Sequence, residues 1–387
     1  LNTVCPPQTQ PQPHAHLAQW SRCLHQVASA PLAYCEGFPK IAARFEAWWQ
    51  HQMLDRPLLI AAPANPAVGQ AGGINRRLDL LDQPETWFAT KLRDMKSLHW
   101  TADSVPHLRV DFGPAMLGTL LDKPFHFASD TTWYDAVIGD DWTDTDAWAI
   151  DPANVWWQRL CELTERVAQD AAGKYLYCAP AYEATADVIT NLRGATQLCM
   201  DVMDRPEVVA RSINALFPVW HQTLSMMYDT LSSHGAGLTT WMRIWSSEPF
   251  AMLAGDVGYM LGQDDFNRLI LPDIERQAQV MGRGIFHTDG PAMLRHLDAL
   301  LEVPQIRVIQ FTPGAGTPSI LPFIDDFKKV QAAGRSLLLI VQPDEVMPLC
   351  DALDPVGLAF LLDAVPPRAE LDGLFQSLCN RYGVAVR

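Results

Sequence analysis

Paired cysteines are missing from this sequence. Its eight cysteines, Cys5, Cys23, Cys35, Cys161, Cys178, Cys199, Cys350 and Cys379, are scattered without a CxxC pair, so neither a zinc ribbon nor a dithiol redox motif is written here. A domain of this size folds without disulfides and no basic-then-apolar leader is seen, so reduced thiols in the cytoplasm are the expectation. Basic residues are scarce: 29 Lys and Arg face 44 Asp and Glu, a formal net charge of −15. With no Lys/Arg cluster, binding to nucleic acid is not expected, and a small molecule or another protein is the better partner. No apolar run approaches the roughly 18 residues of a membrane span, so no membrane partner is expected either. GxSxG, HExxH and EF-hand patterns are also absent, which removes the usual hydrolase, metalloprotease and calcium-sensor readings.

What is present is a globular composition, 48% hydrophobic and 19% charged over 387 residues, enough for one large α/β domain or two average ones. Residues 1–38 begin with the Pro/Gln-rich stretch LNTVCPPQTQPQPHAHL and read as an N-terminal extension, flexible or packed on the surface, outside the site. From residue 39 the pattern changes. FPKIAARFEAWWQHQML places Ile41, Phe45, Trp48 and Trp49 at helical spacing before Arg56-Pro57 opens the apolar run LLIAAP, a helix leading into a strand.

Short apolar runs then alternate with longer segments of helical period, as βα units do. Candidate strands fall at 58–62, 108–112, 174–179, 237–244, 284–287, 306–311, 336–341 and 357–362. Candidate helices fall at 154–171, 206–232, 264–280, 291–301 and 321–333. Eight strands favour an α/β (βα)8 TIM barrel over residues 39–387, with an open doubly wound sheet as the second reading. The irregular, Trp-rich stretch 117–150 is able to hide a further strand.

In such a barrel the active site gathers where strands end. The expected strand ends carry Asp111, Glu183, Arg243, Trp245, Glu248, His287, Asp289, Gln310, Gln342 and Asp363. Taken singly, each is as readily an ordinary loop residue; together they outline a pocket. His287 and Asp289 lie two apart in extended chain and so face the same way, while Pro291 suits the first turn of the following helix. Trp241 and Trp245, with Trp133, Trp142, Trp148, Trp156 and Trp157, offer either an aromatic wall for an apolar or methylated cationic substrate or plain packing, and packing is the more common use. Thr312-Pro313-Gly314-Ala315-Gly316 lacks the third glycine and the lysine of phosphate loops and reads as a tight turn. His234 reads as part of a helix end beside glycine, and His296 as a surface residue.

Three stretches carry a family resemblance: NLRGATQLCMDVMDRPEVV from Asn191, SSEPFAMLAGDVGYMLGQDDFNRLILPDIERQ from Ser246, and IFHTDGPAMLRHLDALLEVPQIRVIQFTPGAG from Ile285. In order and spacing the chain resembles the uroporphyrinogen decarboxylase-like superfamily, which includes the zinc-dependent methylcobamide methyltransferases and is related to the barrel of cobalamin-independent methionine synthase. The resemblance implies a (βα)8 barrel with its pocket at the carboxyl edge of the strands. It also implies methyl transfer to a corrinoid or thiol acceptor, with a corrinoid delivered by a partner protein and a homodimer as one option.

The family's methyltransferases bind zinc through His-x-Cys and a distant second Cys. Here Asp289 stands at the first Cys position and Asp363 near the second. A His287, Asp289, Asp363 set is a harder site, still competent for a divalent metal, with zinc the first choice. Oxygen ligands favour a Lewis-acid role or a metal-bound water over release of a thiolate. The decarboxylases need an arginine-rich segment near LDRPLLIAAPANP, where this chain offers Arg56 alone, so uroporphyrinogen itself is not the expected substrate. Decarboxylase or lyase chemistry on a smaller acid stays open, with Arg243 clamping a carboxylate and Asp256 or Asp289 supplying a proton. A barrel that binds a ligand without catalysis is the third reading.

Overall fold

A computed structural model describes residues 13–61, 82–110, 112–114, 116–127, 132–143, 145–182, 185–362 and 366–385. The strands, in chain order, are β1 (Leu58–Ile60), β2 (His107–Arg109), β3 (Phe125–Phe127), β4 (Thr132–Tyr134), β5 (Leu176–Cys178), β6 (Leu238–Thr239), β7 (Ala251–Leu253), β8 (Gly284–Asp289), β9 (Ile306–Thr312), β10 (Ser336–Val341) and β11 (Leu358–Leu362). They form a six-stranded sheet in the order β1-β11-β10-β9-β8-β7, a three-stranded sheet β2-β5-β6, and the pair β3-β4. Every pairing in the two larger sheets is parallel; β3 and β4 run antiparallel.

Parallel neighbours need crossovers, and helices supply them. SLLLIV in β10 and LAFLL in β11 are buried at every position, as strands covered on both faces must be. The helix Val155–Ala171 begins where Asn154 accepts hydrogen bonds from the backbone N–H groups of Trp156 and Trp157, both at 2.9 Å, a side-chain cap on donors that the helix itself leaves unpaired. The fold is thus mixed α/β with parallel sheets and connecting helices. Among the described residues the ladder is not continuous between β1 and β2 or between β6 and β7, so the expected closed eight-stranded barrel is not present as one hydrogen-bonded ring.

Several local expectations change. The strand expected at 237–244 is two residues long, because Arg243 adopts a left-handed backbone (φ 57°) and its N–H bonds back to the Thr240 carbonyl at 2.8 Å. The chain then returns to the other edge of the sheet and begins β7, which the sequence reading lacked. The helix expected at 206–232 is two, Pro206–Ala215 and Phe217–His234, divided where Pro218 has no N–H to continue the first. The helix expected at 264–280 widens into a π-helical turn at Phe266–Ile270, immediately before Pro272. The Trp-rich stretch holds the β3-β4 pair.

Within the N-terminal extension, the helix Pro13–Ala28 lies on Phe217–His234: the Trp20 ring stacks on Tyr228 at 4.9 Å and its N–H donates to Asp229 at 2.8 Å. Arg56 is fixed inside the fold. Together with Arg44, itself paired with Asp55, it binds the fully buried Asp103, which also accepts the Leu59 N–H, so a neutralised ion cluster ties β1 to the segment before β2.

Candidate active site

His287 lies near the end of β8, the first half of the IFHTD run, and only 8% of it is exposed. β9 lies in register with β8, pairing Gln310 with His287. The Gln310 side-chain oxygen meets His287 Nδ1, and the Gln310 amide group donates to Thr312 Oγ1 at 2.9 Å, so the glutamine is held from both ends. Bonding through Nδ1 leaves Nε2 as the reactive nitrogen. The Trp241 ring stands perpendicular to the imidazole at 5.1 Å and closes one side.

Asp289 ends β8. Gly290 follows at φ 80° and Gly314 at φ 71°, and a side chain on Gly314 would strike the Gly290 backbone at 3.0 Å, with the Asp289 carboxylate at 3.8 Å. The turn read at residues 312–316 therefore has a purpose: it lets two loops meet beside Asp289. Asp256 opens the short 3-10 helix Asp256–Met260 after β7, with its side chain 45% exposed and one oxygen 4.0 Å from His287 Nε2.

A further carboxylate, Asp187 in the helix Thr185–Arg193, was missed by the sequence reading. Its two oxygens accept the N–H groups of Asp256 and Val257 at 2.9 and 2.7 Å. Desolvation drives the Asp187 carboxyl up to about 8, and the charge of Asp256 adds to the rise; the two backbone donors and His287 pull the other way. Three carboxylates thus crowd one imidazole, and a positive charge placed among them relieves both the mutual repulsion and the Asp187 shift.

One oxygen or nitrogen from each of Asp256, His287 and Asp289 lies within 4.8 Å of the others. Ligand atoms about 2.1 Å from a tetrahedral ion stand about 3.4 Å apart, so small rotations of two aspartates suffice to close on a cation. Gln310 supplies the outer support that a ligating histidine needs on its other nitrogen. The donor set fits a divalent metal of zinc's kind, with Asp256 in the third place. Asp363, the third ligand expected from sequence, lies outside the described residues, as do Asp111 and Glu183.

The remaining expected site residues separate into two groups. Arg243 and Trp241 are at the carboxyl edge with His287. Gln342 is also at that edge, at the end of β10, where its N–H donates to Glu345 Oε2 at 2.9 Å in a capping arrangement. Trp245 and Glu248 are at the opposite, amino edge. Trp245 is fully buried, packs edge-on against Phe38 and accepts the Trp49 ring N–H on its carbonyl at 2.8 Å. Glu248 meets His25 at 2.8 Å and lines a cavity of about 610 Å³ with Arg283, Arg307 and Gly334, residues at or just before the starts of β8, β9 and β10. The structure does not bring either to His287.

His296 is not a surface residue: it is fully buried, stacks on Phe266 at 4.0 Å and bonds the Gly258 carbonyl at 2.9 Å, holding the Asp256–Met260 turn. His234 precedes the left-handed Gly235 that ends its helix and meets Glu165 at 2.7 Å. Trp142, Trp148, Trp156 and Trp157 are core, and Trp133 is exposed. Among the described residues no helix is long and apolar enough to cross a membrane.

No family model matches the sequence, and no curated protein matches it either. Solved structures do: one similar fold is a methyltransferase from Methanosarcina mazei, aligned over 88% of this chain and 99% of that one at a TM-score of 0.56 and 10% identity. The likeness is one of fold.

Proposed function

We propose that this chain is an enzyme of the uroporphyrinogen decarboxylase-like kind that moves a methyl group between a corrinoid and a small thiol acceptor, at a divalent metal held by Asp256, His287 and Asp289. The observation that carries the reading is the convergence of those three residues at the carboxyl edge of parallel strands, with Gln310 fixing the imidazole. The methyltransferase of similar fold supports the choice of methyl transfer. In the same reading the two sheets, nine parallel strands together, are arcs of one barrel of the (βα)8 type with one strand added, supported by a strand order that continues from β1 to β2 and from β6 to β7.

A divalent cation held by these residues would act as a Lewis acid that lowers the pKa of the acceptor thiol, and with two carboxylates among its ligands it would release the thiolate less readily than a cysteine-bound zinc. The protein's part follows from its own groups. Gln310 selects the His287 nitrogen that faces the pocket, Asp187 holds the Asp256 backbone in place, and Trp241 excludes water from one side of the imidazole. With a cation bound, Asp187 is relieved of its raised proton affinity and stays a carboxylate that accepts both backbone N–H groups.

A second reading, decarboxylation or lyase chemistry on a small acid, draws on Arg243, a cation at this edge that no described carboxylate binds. The two readings part in one assay. Zinc-loaded protein is mixed with methylcobalamin and 2-mercaptoethanol, and the loss of the cobalt–methyl absorbance is followed beside formation of the S-methyl product. Methyl transfer that disappears in His287→Ala supports the first reading. Its absence across simple thiols contradicts it.

A further inference from the structure

Arg109 ends β2, Cys178 ends β5 and Thr239 ends β6, and the strand register sets the three side by side. Tyr177, between Leu176 and Cys178, points outward to bond Thr164 of the helix Val155–Ala171 at 3.0 Å. Strand alternation then turns Cys178, Arg109 and His107 to the inner face. His107 Nδ1 meets the Val105 carbonyl at 2.9 Å. Burial, with the charges of Arg243 and Arg109 added, pushes the ring down to about 4, so it stays neutral at physiological pH.

Arg243 stands in the turn after β6, near enough to His107, Arg109 and Cys178 for their charges to act on one another. Its proton affinity is lowered, first by burial and then by Arg109, with Cys178 opposing. Two cations therefore share one partly covered space. Arg243 makes no side-chain hydrogen bond or ion pair with any described residue, and its backbone sits in the left-handed region at φ 57°, a conformation an arginine adopts only when its surroundings impose it. A guanidinium that is largely covered, keeps some access to the pocket and has no partner among the described residues is placed to bind an anion. Two residues earlier in the same turn, Trp241 touches His287.

We propose that Arg243 is the residue that binds the carboxylate of the substrate, with Arg109 as the neighbouring cation, and that it directs the rest of a small monocarboxylic acid past Trp241 toward His287. A planar carboxylate matches the guanidinium fork with two parallel hydrogen bonds. The direction toward His287 rests on the reading of Asp256, His287 and Asp289 as the reacting centre. The binding itself does not.

The test compares propionate with its neutral isostere propionamide, at constant ionic strength, by the rise in Tm with ligand concentration. Wild type should prefer propionate by roughly tenfold, the usual advantage of a charge-assisted hydrogen bond over a neutral one. Arg243→Gln should remove the preference, and Arg243→Lys, which keeps the charge without the fork, should leave part of it. Circular dichroism confirms that each variant is folded. An undiminished preference in a folded Arg243→Gln protein, no preference in wild type, or a larger response to inorganic phosphate than to propionate each overturns the assignment. Zinc content measured on the same samples separates the two ideas: an Arg243-dependent preference in protein that binds no zinc keeps the carboxylate site and removes the metal, and the reverse pattern does the opposite.

Discussion

Gln310 on β9 meets His287 on β8 through the imidazole Nδ1, and that single contact aims Nε2 at Asp256, 4.0 Å away. Gln310 is fully buried, so its role cannot be taken over by water. Gln310→Leu keeps the volume and removes the bond. Zinc affinity, measured by competition with a chromogenic chelator, should fall roughly 10–100-fold, the usual cost of losing a ligating histidine's outer partner. An unchanged affinity would mean that the imidazole is oriented by something else.

Asp187 stands behind Asp256 in the same way. Asp187→Ala leaves the N–H groups of Asp256 and Val257 without their acceptor, at a cost of about 2 kcal/mol. Urea denaturation should record that loss, and the chelator competition should record weaker zinc binding because Asp256 is no longer held. A stability loss with full zinc affinity would confine Asp187 to the fold.

Changes at the amino edge should leave the metal untouched. Glu248→Gln removes only an exposed contact with His25, so zinc affinity should stay within about twofold and stability within about 0.5 kcal/mol. Gly237→Ala is different: its new methyl would lie 2.6 Å from the Trp245 ring and 2.8 Å from Leu176, a destabilisation of about 1–3 kcal/mol with zinc affinity again unchanged.

Acid sensitivity has its own address. Burial alone would raise the Asp55 carboxyl, but hydrogen bonds and charge from Arg44, with Lys40 behind, outweigh it and bring it down to about 2. The ionised carboxylate therefore favours the folded state above its ordinary value of 3.8, and that contribution is lost as pH falls from about 4 toward about 2. Asp55→Asn should lower stability at neutral pH and flatten the acid limb across that window in urea denaturation. An acid limb as steep as wild type would place the sensitivity elsewhere.

Much of this was legible in the residues. Apolar runs bounded by helical periods located eight of the strands, and the two-residue spacing of His287 and Asp289 at a strand end put both on one face. Gln310 was legible as a polar residue near a strand end, though its bond to His287 depends on register between neighbouring strands. Trp245 and Glu248 misled because the segment after Thr239 reads as one strand and its loop, whereas the left-handed Arg243 turns the chain back to the amino edge before β7 begins. Asp187 was hidden for a different reason. TADVITNLR scans as an ordinary helix with an acid in its first turn, which the helix dipole alone explains. Its partners lie 69 and 70 residues away, and no local pattern carries that.

The central claim is a metal at Asp256, His287 and Asp289, and its most direct test is zinc stoichiometry by elemental analysis of protein dialysed against zinc and then against buffer. Wild type should retain one zinc per chain, His287→Ala should retain none, and Asp256→Asn and Asp289→Asn should each bind at least about tenfold more weakly, as the loss of one ligand from a small set requires. Wild-type protein that retains no zinc, or a folded His287→Ala protein that retains as much as wild type, would contradict the account.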